Sequence, residues 1–447
     1  MARVTAPVPR QAQPGDERGA ARSWRENPWW IPPFLGSVPD IEPRLMRVLA
    51  LVTLGLFFEA YDFSLLSAAL RHIAEDLRIP PGQLGGYLSA ERWGGFLTFA
   101  ILPLADRFGR RRIFLASMVG MSLGTLITAF TRTPVQFIAI QILTRAFLLS
   151  CSSIGVVMLM EEFPAEHRGW GIGMLGALAA IGNGLGALLF AFVDHLPYGW
   201  RSLYAVGVVP ALLLPYVRRT LEETGRFQQL QARRGAEASP FRTSLVSLVA
   251  LARAYPWRAA CIGLAGLLSA LGAISVFQFA SYFVQTAHGW APWQYSTMLL
   301  TAGGVGIIGN VLAGRLGDRF GRRRVGFLAY AIYPFAAAAF YHGPGWALAP
   351  CFALVVFTIS AGDVIVRAFS TELFPTSQRG ASAAWLMAVQ TVGWIVGLYL
   401  IGSDAQRSQD LAGIISLLSI GVGIAGLFLL LLPETRHREL ESLSHEA

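Results

Sequence analysis

Apolar stretches long enough to cross a bilayer recur along the whole chain, and they constrain it more than any other feature. A membrane's hydrocarbon core is spanned by about 20 helical residues. Twelve such stretches can be read: 45–70, 84–105, 113–131, 134–160, 170–193, 201–217, 258–284, 291–314, 325–341, 346–371, 381–402 and 409–432. Backbone N–H and C=O groups find no water in lipid, so each stretch must close its own hydrogen bonds as a helix. Composition agrees, with 54% hydrophobic and only 14% charged residues, against about 25% charged in a soluble domain. That balance excludes a cytosolic enzyme, a disulfide-built scaffold and a disordered protein. The expected fold is an all-α membrane protein.

The charge has a location. The net charge is +9, and all 36 basic residues are arginine. With both termini on one side of the membrane, 28 arginines fall on that side and five on the other, and Arg92, Arg145 and Arg367 remain inside helices. The positive-inside rule puts the rich side in the cytoplasm. The expectation is a multi-pass protein of a bacterial-type plasma (inner) membrane, both termini cytoplasmic, with no nucleic-acid partner. Residues 1–44 read as a disordered cytosolic tail and 433–447 as a short one. Cys151, Cys261 and Cys351 lie far apart in apolar stretches, with neither disulfide nor metal-ligand spacing. No metal and no cofactor are expected.

The chain also repeats itself. Asp106–Arg112 and Asp318–Arg324 both read DRFGRRR, 212 residues apart. Glu161-Glu-Phe-Pro164 with Arg168-Gly169 returns as Glu372-Leu-Phe-Pro375 with Arg379-Gly380, 211 apart. Glu223-Thr224 returns as Glu434-Thr435, again 211 apart. Three separate matches at an offset of 211–212 mark two six-helix halves, 45–217 and 258–432, joined by a polar cytoplasmic linker at 218–257.

These loops resemble those of the major facilitator superfamily, over about residues 45–440. Tyr61-Asp62 in helix one, Arg145 in helix four and the Glu-Glu-Thr and Pro-Glu-Thr segments at 222–224 and 433–435 make the chain similar to one branch: sugar porters, organic-ion transporters and metabolite–proton symporters. The resemblance implies twelve helices in two pseudo-symmetric halves and transport by alternating access. It implies that Asp106, Arg107 and Arg110 gather with Glu161 or Glu162 and Arg168 as a gating cluster, and that Asp318, Arg319, Arg322, Glu372 and Arg379 form its twin. Such clusters pair when the cytoplasmic side is shut and separate when it opens. The family glycine stands at Gly314 in the second half, but Leu102 holds the matching position in the first. Asp363 and Arg367, spaced i, i+4 in helix ten, fit either a self-satisfied structural pair or a part of the inner gate.

Ionisable groups in lipid cost about 2.5–3.5 kcal/mol each even on the milder scale, so they face partners or a cavity. The resemblance casts Asp62 and Arg145 as a proton-coupling pair. A nearby guanidinium favours an ionised carboxylate and burial without one favours the protonated form, so a change in their separation would load or release a proton. A static buried ion pair is the other reading. Glu59, one turn before Asp62, shares its helix face and joins the coupling group. Glu91 and Arg92 fit an outer vestibule or an interfacial snorkelling pair equally well.

The candidates for solute contact are Tyr61, Arg92, Gln278, Tyr282, Asn310, Gln390 and Trp394. The embedded charges sum to −1, which leans towards a cationic, zwitterionic or neutral small organic solute. Helix seven, SALGAISVFQFASYF, lacks the Gln-Gln-Leu-Ser-Gly of sugar porters, and Val366 stands where their helix-ten Trp packs on the sugar. Helix five lacks the Gly-Pro of proton-driven drug antiporters. The expected function is a monomeric secondary transporter in the lipid bilayer, coupling a small organic metabolite to protons. An uncoupled facilitator or exchanger of an organic ion or sugar-like solute is the alternative, and a non-transporting sensor a remote third. No HExxH, no GxSxG with a matching histidine and no phosphate-cradling loop occurs, which argues against an enzyme.

Overall fold

The computed structural model describes residues 41–164, 167–223, 248–375, 378–405 and 410–436. Most of the two expected tails and the centre of the expected linker lie outside these residues, as do the side chains of Asp106, Arg168 and Arg379.

The first half comprises α1 (Pro43–Ala68), the short α2 (Leu70–Asp76), α3 (Pro81–Arg92), α4 (Gly94–Phe108), α5 (Arg110–Thr128), α6 (Pro134–Glu162), α7 (Arg168–Phe190), α8 (Trp200–Ala205) and α9 (Val208–Thr220). The second comprises α10 (Pro256–Ala287), α11 (Pro292–Phe320), α12 (Arg322–His342), α13 (Leu348–Glu372), α14 (Arg379–Ala405) and α15 (Leu411–Leu430). α3 with α4, and α8 with α9, each make one interrupted span, so the fold has twelve crossings. Among the described residues, 10 helical segments are long and apolar enough to cross a membrane. The other two crossings are α3–α4, broken beside Glu91 and Arg92, and α5, which opens on three arginines. The short reading at 201–217 hid a break at residues 206–207.

Sequence sets the helix starts. α1, α6, α10 and α11 carry proline in their first turn, where the missing N–H would have had no partner. Gly109 and Gly321 turn the DRFGRRR loops with φ of 104° and 96°, a region that glycine enters without steric cost.

Within the first half α1 packs on α6 and α7, and α5 on α6 and α9. Within the second, α10 packs on α14 and α15, α11 on α13, and α12 on α15. The halves meet through α1–α10, α2–α10, α3–α14 and α7–α11. We call the face carrying Pro43 and Glu434 the terminal face. The hydrogen bonds described between the halves lie at mid-membrane or towards the opposite, far face. Ser67 Oγ donates to the Phe277 carbonyl at 2.9 Å, and Ser281 Oγ returns the contact to Ala68 at 2.6 Å. Arg71 Nη1 donates to the Gln285 carbonyl at 3.2 Å, and Ser89 Oγ to Ile395 at 2.8 Å. A Cβ on Gly85 would stand 2.3 Å from the Gly402 nitrogen, so these two backbones touch through glycine alone. Gly184 of α7 meets Leu300 of α11 near the far face, whereas a Cβ at Gly173 or Gly314, on the same two helix faces but nearer the terminal face, would meet nothing within 4 Å. The described contacts between the halves thus gather at mid-membrane and the far face.

Candidate functional site

Where α3 ends, its last turn is pressed between the halves. Gly94 makes this approach: a Cβ there would lie 2.3 Å from the Ile142 carbonyl and 2.7 Å from the Arg145 Cβ. The contact brings Glu91 and Arg92 against α6. Glu91 Oε2 sits 3.1 Å from Arg92 Nε, and Glu91 Oε1 3.6 Å from Arg145 Nε. Arg92 Nη2 reaches across the halves and donates to Gln278 Oε1 at 2.8 Å. Both guanidiniums lie against the ring of Phe63 of α1, at 5.2 Å for Arg92 and 6.0 Å for Arg145, a cation–π arrangement.

Glu91 and Arg92 are buried, at 1% and 2% exposure. The snorkelling reading is therefore corrected: the pair is packed between helices and does not extend to the interface. The ion pair expected between Asp62 and Arg145 is corrected as well. Arg145 takes Glu91 as its acidic partner, because the Gly94 contact delivers the end of α3, not α1, to its guanidinium. Asp62 is itself buried, with Oδ1 lacking a hydrogen-bond partner, and Glu59 is half-buried one turn away. Both carboxylates remain within the electrostatic reach of Arg145 and Arg92.

The cluster holds more polar capacity than it uses. Arg92 Nε and Nη1, both Glu91 oxygens, Gln278 Nε2 and the Tyr204 hydroxyl are buried without hydrogen bonds. A buried ion pair contributes little net stability, since desolvation offsets the Coulomb attraction.

The remaining solute candidates scatter. Tyr61 donates its hydroxyl to the Leu203 carbonyl at 2.8 Å, inside its own half. Gln390 lies on α14 beside Gly266 of α10, Tyr282 and Trp394 are half-buried, and Asn310 is exposed on α11. Of the seven, the structure brings Arg92 and Gln278 into direct contact. Glu91 and Phe63 are the residues that were not chosen from sequence. Glu91 carried a signal, an acid inside a span next to an arginine; Phe63 carried none.

The terminal-face clusters form within each half. Arg110 pairs with Glu161, and Arg322 with Glu372. Arg322 also lies 3.5 Å from Asp318. Glu162 lies 3.8 Å from Arg44. Arg107 and Arg319 instead stack on the phenyl rings that follow them, Phe108 and Phe320. Asp363 does not close on Arg367, correcting the self-satisfied reading. It accepts from the Tyr330 hydroxyl at 2.8 Å, and Arg367 is exposed. Tyr330 reaches it because Gly362 leaves room for its ring. Among the described residues no cluster could hold a metal ion.

A family model described as Major Facilitator Superfamily matches residues 52–398 and, overlapping, 262–447. A gallate transporter of Pseudomonas putida is 26% identical over 425 residues, covering 86% of this chain and 88% of the relative. A cis,cis-muconate transport protein of Acinetobacter baylyi is 27% identical over 372 residues, covering 78% and 85%. In three dimensions the chain is similar to a D-xylose-proton symporter, with a TM-score of 0.71 at 20% identity, over 88% of this chain and 99% of that one.

Proposed function

The chain belongs to the Major Facilitator Superfamily, a family of membrane transporters and not of enzymes, and on that premise we propose that it moves a small organic acid together with protons. The relatives named for gallate and muconate support a carboxylate-bearing solute. The buried Glu91–Arg92–Arg145 cluster, tied to the second half through Gln278, carries the reading.

Electrostatics gives it a mechanism. Glu59, Asp62 and Glu91 face Arg92 and Arg145, a formal balance of −1 that suits a cation, a zwitterion or a neutral solute. With protons on both α1 carboxylates the balance becomes +1, which attracts an anion. Proton loading and anion binding then favour each other, the linkage symport requires. Asp62 is the central proton site, with Glu59 its neighbour. The clusters around Arg110–Glu161 and Arg322–Glu372, with Asp106, Arg168 and Arg379, serve the terminal-face gate. On the positive-inside rule, the 28 arginines assign that face to the cytoplasm.

The test is uptake into proteoliposomes. Gallate, cis,cis-muconate and D-xylose are first ranked by their thermal stabilisation of the purified protein. We expect an acid to lead, and its uptake to accelerate under an inward proton gradient. Equal uptake with and without the gradient would replace symport by facilitated diffusion or exchange.

A further inference from the structure

We propose that Glu91 is a tethered counter-anion, occupying in the empty transporter the place between Arg92 and Arg145 that the carboxylate of a small planar acid takes. The proposal rests on the organic-acid reading above and assigns that acid a binding site.

The geometry is that of a placeholder. One carboxylate straddles two guanidiniums, 3.1 Å from one and 3.6 Å from the other. Neither of its oxygens makes an aligned hydrogen bond, Arg92 Nε meets it only as an ion-pair contact, and Arg92 Nη1 has no acceptor. Where α3 places it, Glu91 approaches each arginine at Nε and makes no aligned hydrogen bond to either; a carboxylate free to move can meet an arginine with two parallel hydrogen bonds of about 2.7–2.9 Å. Phe63 holds the two guanidiniums together from below and adds no counter-charge. Around them Asp62 Oδ1, Gln278 Nε2 and the Tyr204 hydroxyl are buried and unpartnered, ready for the other polar atoms of a solute.

The groups that bear on Glu91 directly are Asp62 from α1, Arg92 on its own helix, Arg145 from α6 and Tyr204 from α8, while Glu59 acts on the two arginines and Gln278 binds Arg92. Displacing Glu91 leaves both arginines for the incoming acid. The same event loosens the ion pair that steadies Arg92 on Gln278, one of the contacts holding the halves together.

The experiment measures binding of benzoate, and of its neutral analogue benzamide, to the purified full-length chain. At neutral pH Glu91→Gln is expected to bind benzoate roughly tenfold tighter than the parent, about 1.4 kcal/mol, with benzamide unchanged. Unchanged or weaker benzoate binding in Glu91→Gln, or no binding by either protein, overturns the proposal. Should Glu91→Gln fail to accumulate, Glu91→Asp, whose carboxylate is drawn back by one methylene, is expected to gain part of the affinity; no gain there overturns it equally. The transport reading fails separately: gradient-driven acid uptake without a benzoate gain removes the placeholder and leaves the symporter, and the reverse pattern does the opposite.

Discussion

Glu434 caps the first turn of α12 from 112 residues away: its carboxylate accepts the backbone N–H of Arg322 at 2.9 Å and of Arg323 at 3.2 Å. Glu223 stands in the same relation to α5, accepting from Arg110 at 3.0 Å and Arg111 at 3.2 Å. Gly109 and Gly321 hold the cap positions and have no side chain to offer. The first N–H groups of a helix need acceptors, and its positive end favours an anion. The glutamates that end each half supply both, which ties the last span of each half to its DRFGRRR loop.

Removing either cap is expected to lower stability. Glu434→Ala should cost about 1–2 kcal/mol, the range for losing a capping side chain, read as a lower thermal midpoint in detergent. Glu223→Ala should match it, and the double variant should lose the sum, because the caps share no partner. A double variant no worse than either single one would mean that the two caps act as one unit.

Asp62→Asn is expected to leave counterflow of a labelled acid intact and to abolish its acceleration by a proton gradient. An asparagine keeps the volume and hydrogen-bonding capacity of the buried site but carries no exchangeable charge. Gradient-driven accumulation by the variant would move the coupling role to Glu59 or Glu91.

Arg145→Ala should be far more damaging than Arg132→Ala. Arg145 is buried against Glu91, and breaking a buried pair costs about 3–5 kcal/mol because it strands a charge. Arg132 is exposed, where substitutions usually stay within about 0.5 kcal/mol. Initial rates of uptake, normalised to protein in the membrane, make the comparison; equal rates would remove Arg145 from the mechanism.

Gly85→Val should block closure of the far face. The added side chain would overlap the backbone at Gly402, and overpacking of this kind costs about 1–3 kcal/mol, enough to reduce the closed state several-fold to more than a hundredfold. Net transport should fall accordingly. Labelling of a cysteine placed at exposed Asn310 should slow if that position opens with the terminal face, and labelling as fast as in the Asn310→Cys parent would show that the far-face contact does not control it.

Much of the architecture was legible because lipid enforces local rules. Each span had to satisfy its own backbone, so 54% hydrophobic composition resolved into twelve crossings whose ends lie within about six residues of those read from the sequence. Duplicated loops marked the two halves, and the structure pairs Arg110 with Glu161 and Arg322 with Glu372 as their twinned motifs suggest. The interruptions at Trp93 and at 206–207 were not legible, since nothing in hydropathy distinguishes a straight span from a broken one.

The site was legible only as an inventory. Sequence alone determined that acids and arginines lie inside the membrane, because charge in an apolar span is visible residue by residue. Which acid meets which arginine was decided by tertiary structure. Gly94 lets α4 ride on α6 and swings Glu91 onto Arg145, Gly362 lets Tyr330 reach Asp363 ahead of Arg367, and Phe63 lies against two guanidiniums from other helices. Those outcomes depend on where two helices cross and how each is rotated, a non-local balance of packing that periodicity along a single helix does not encode.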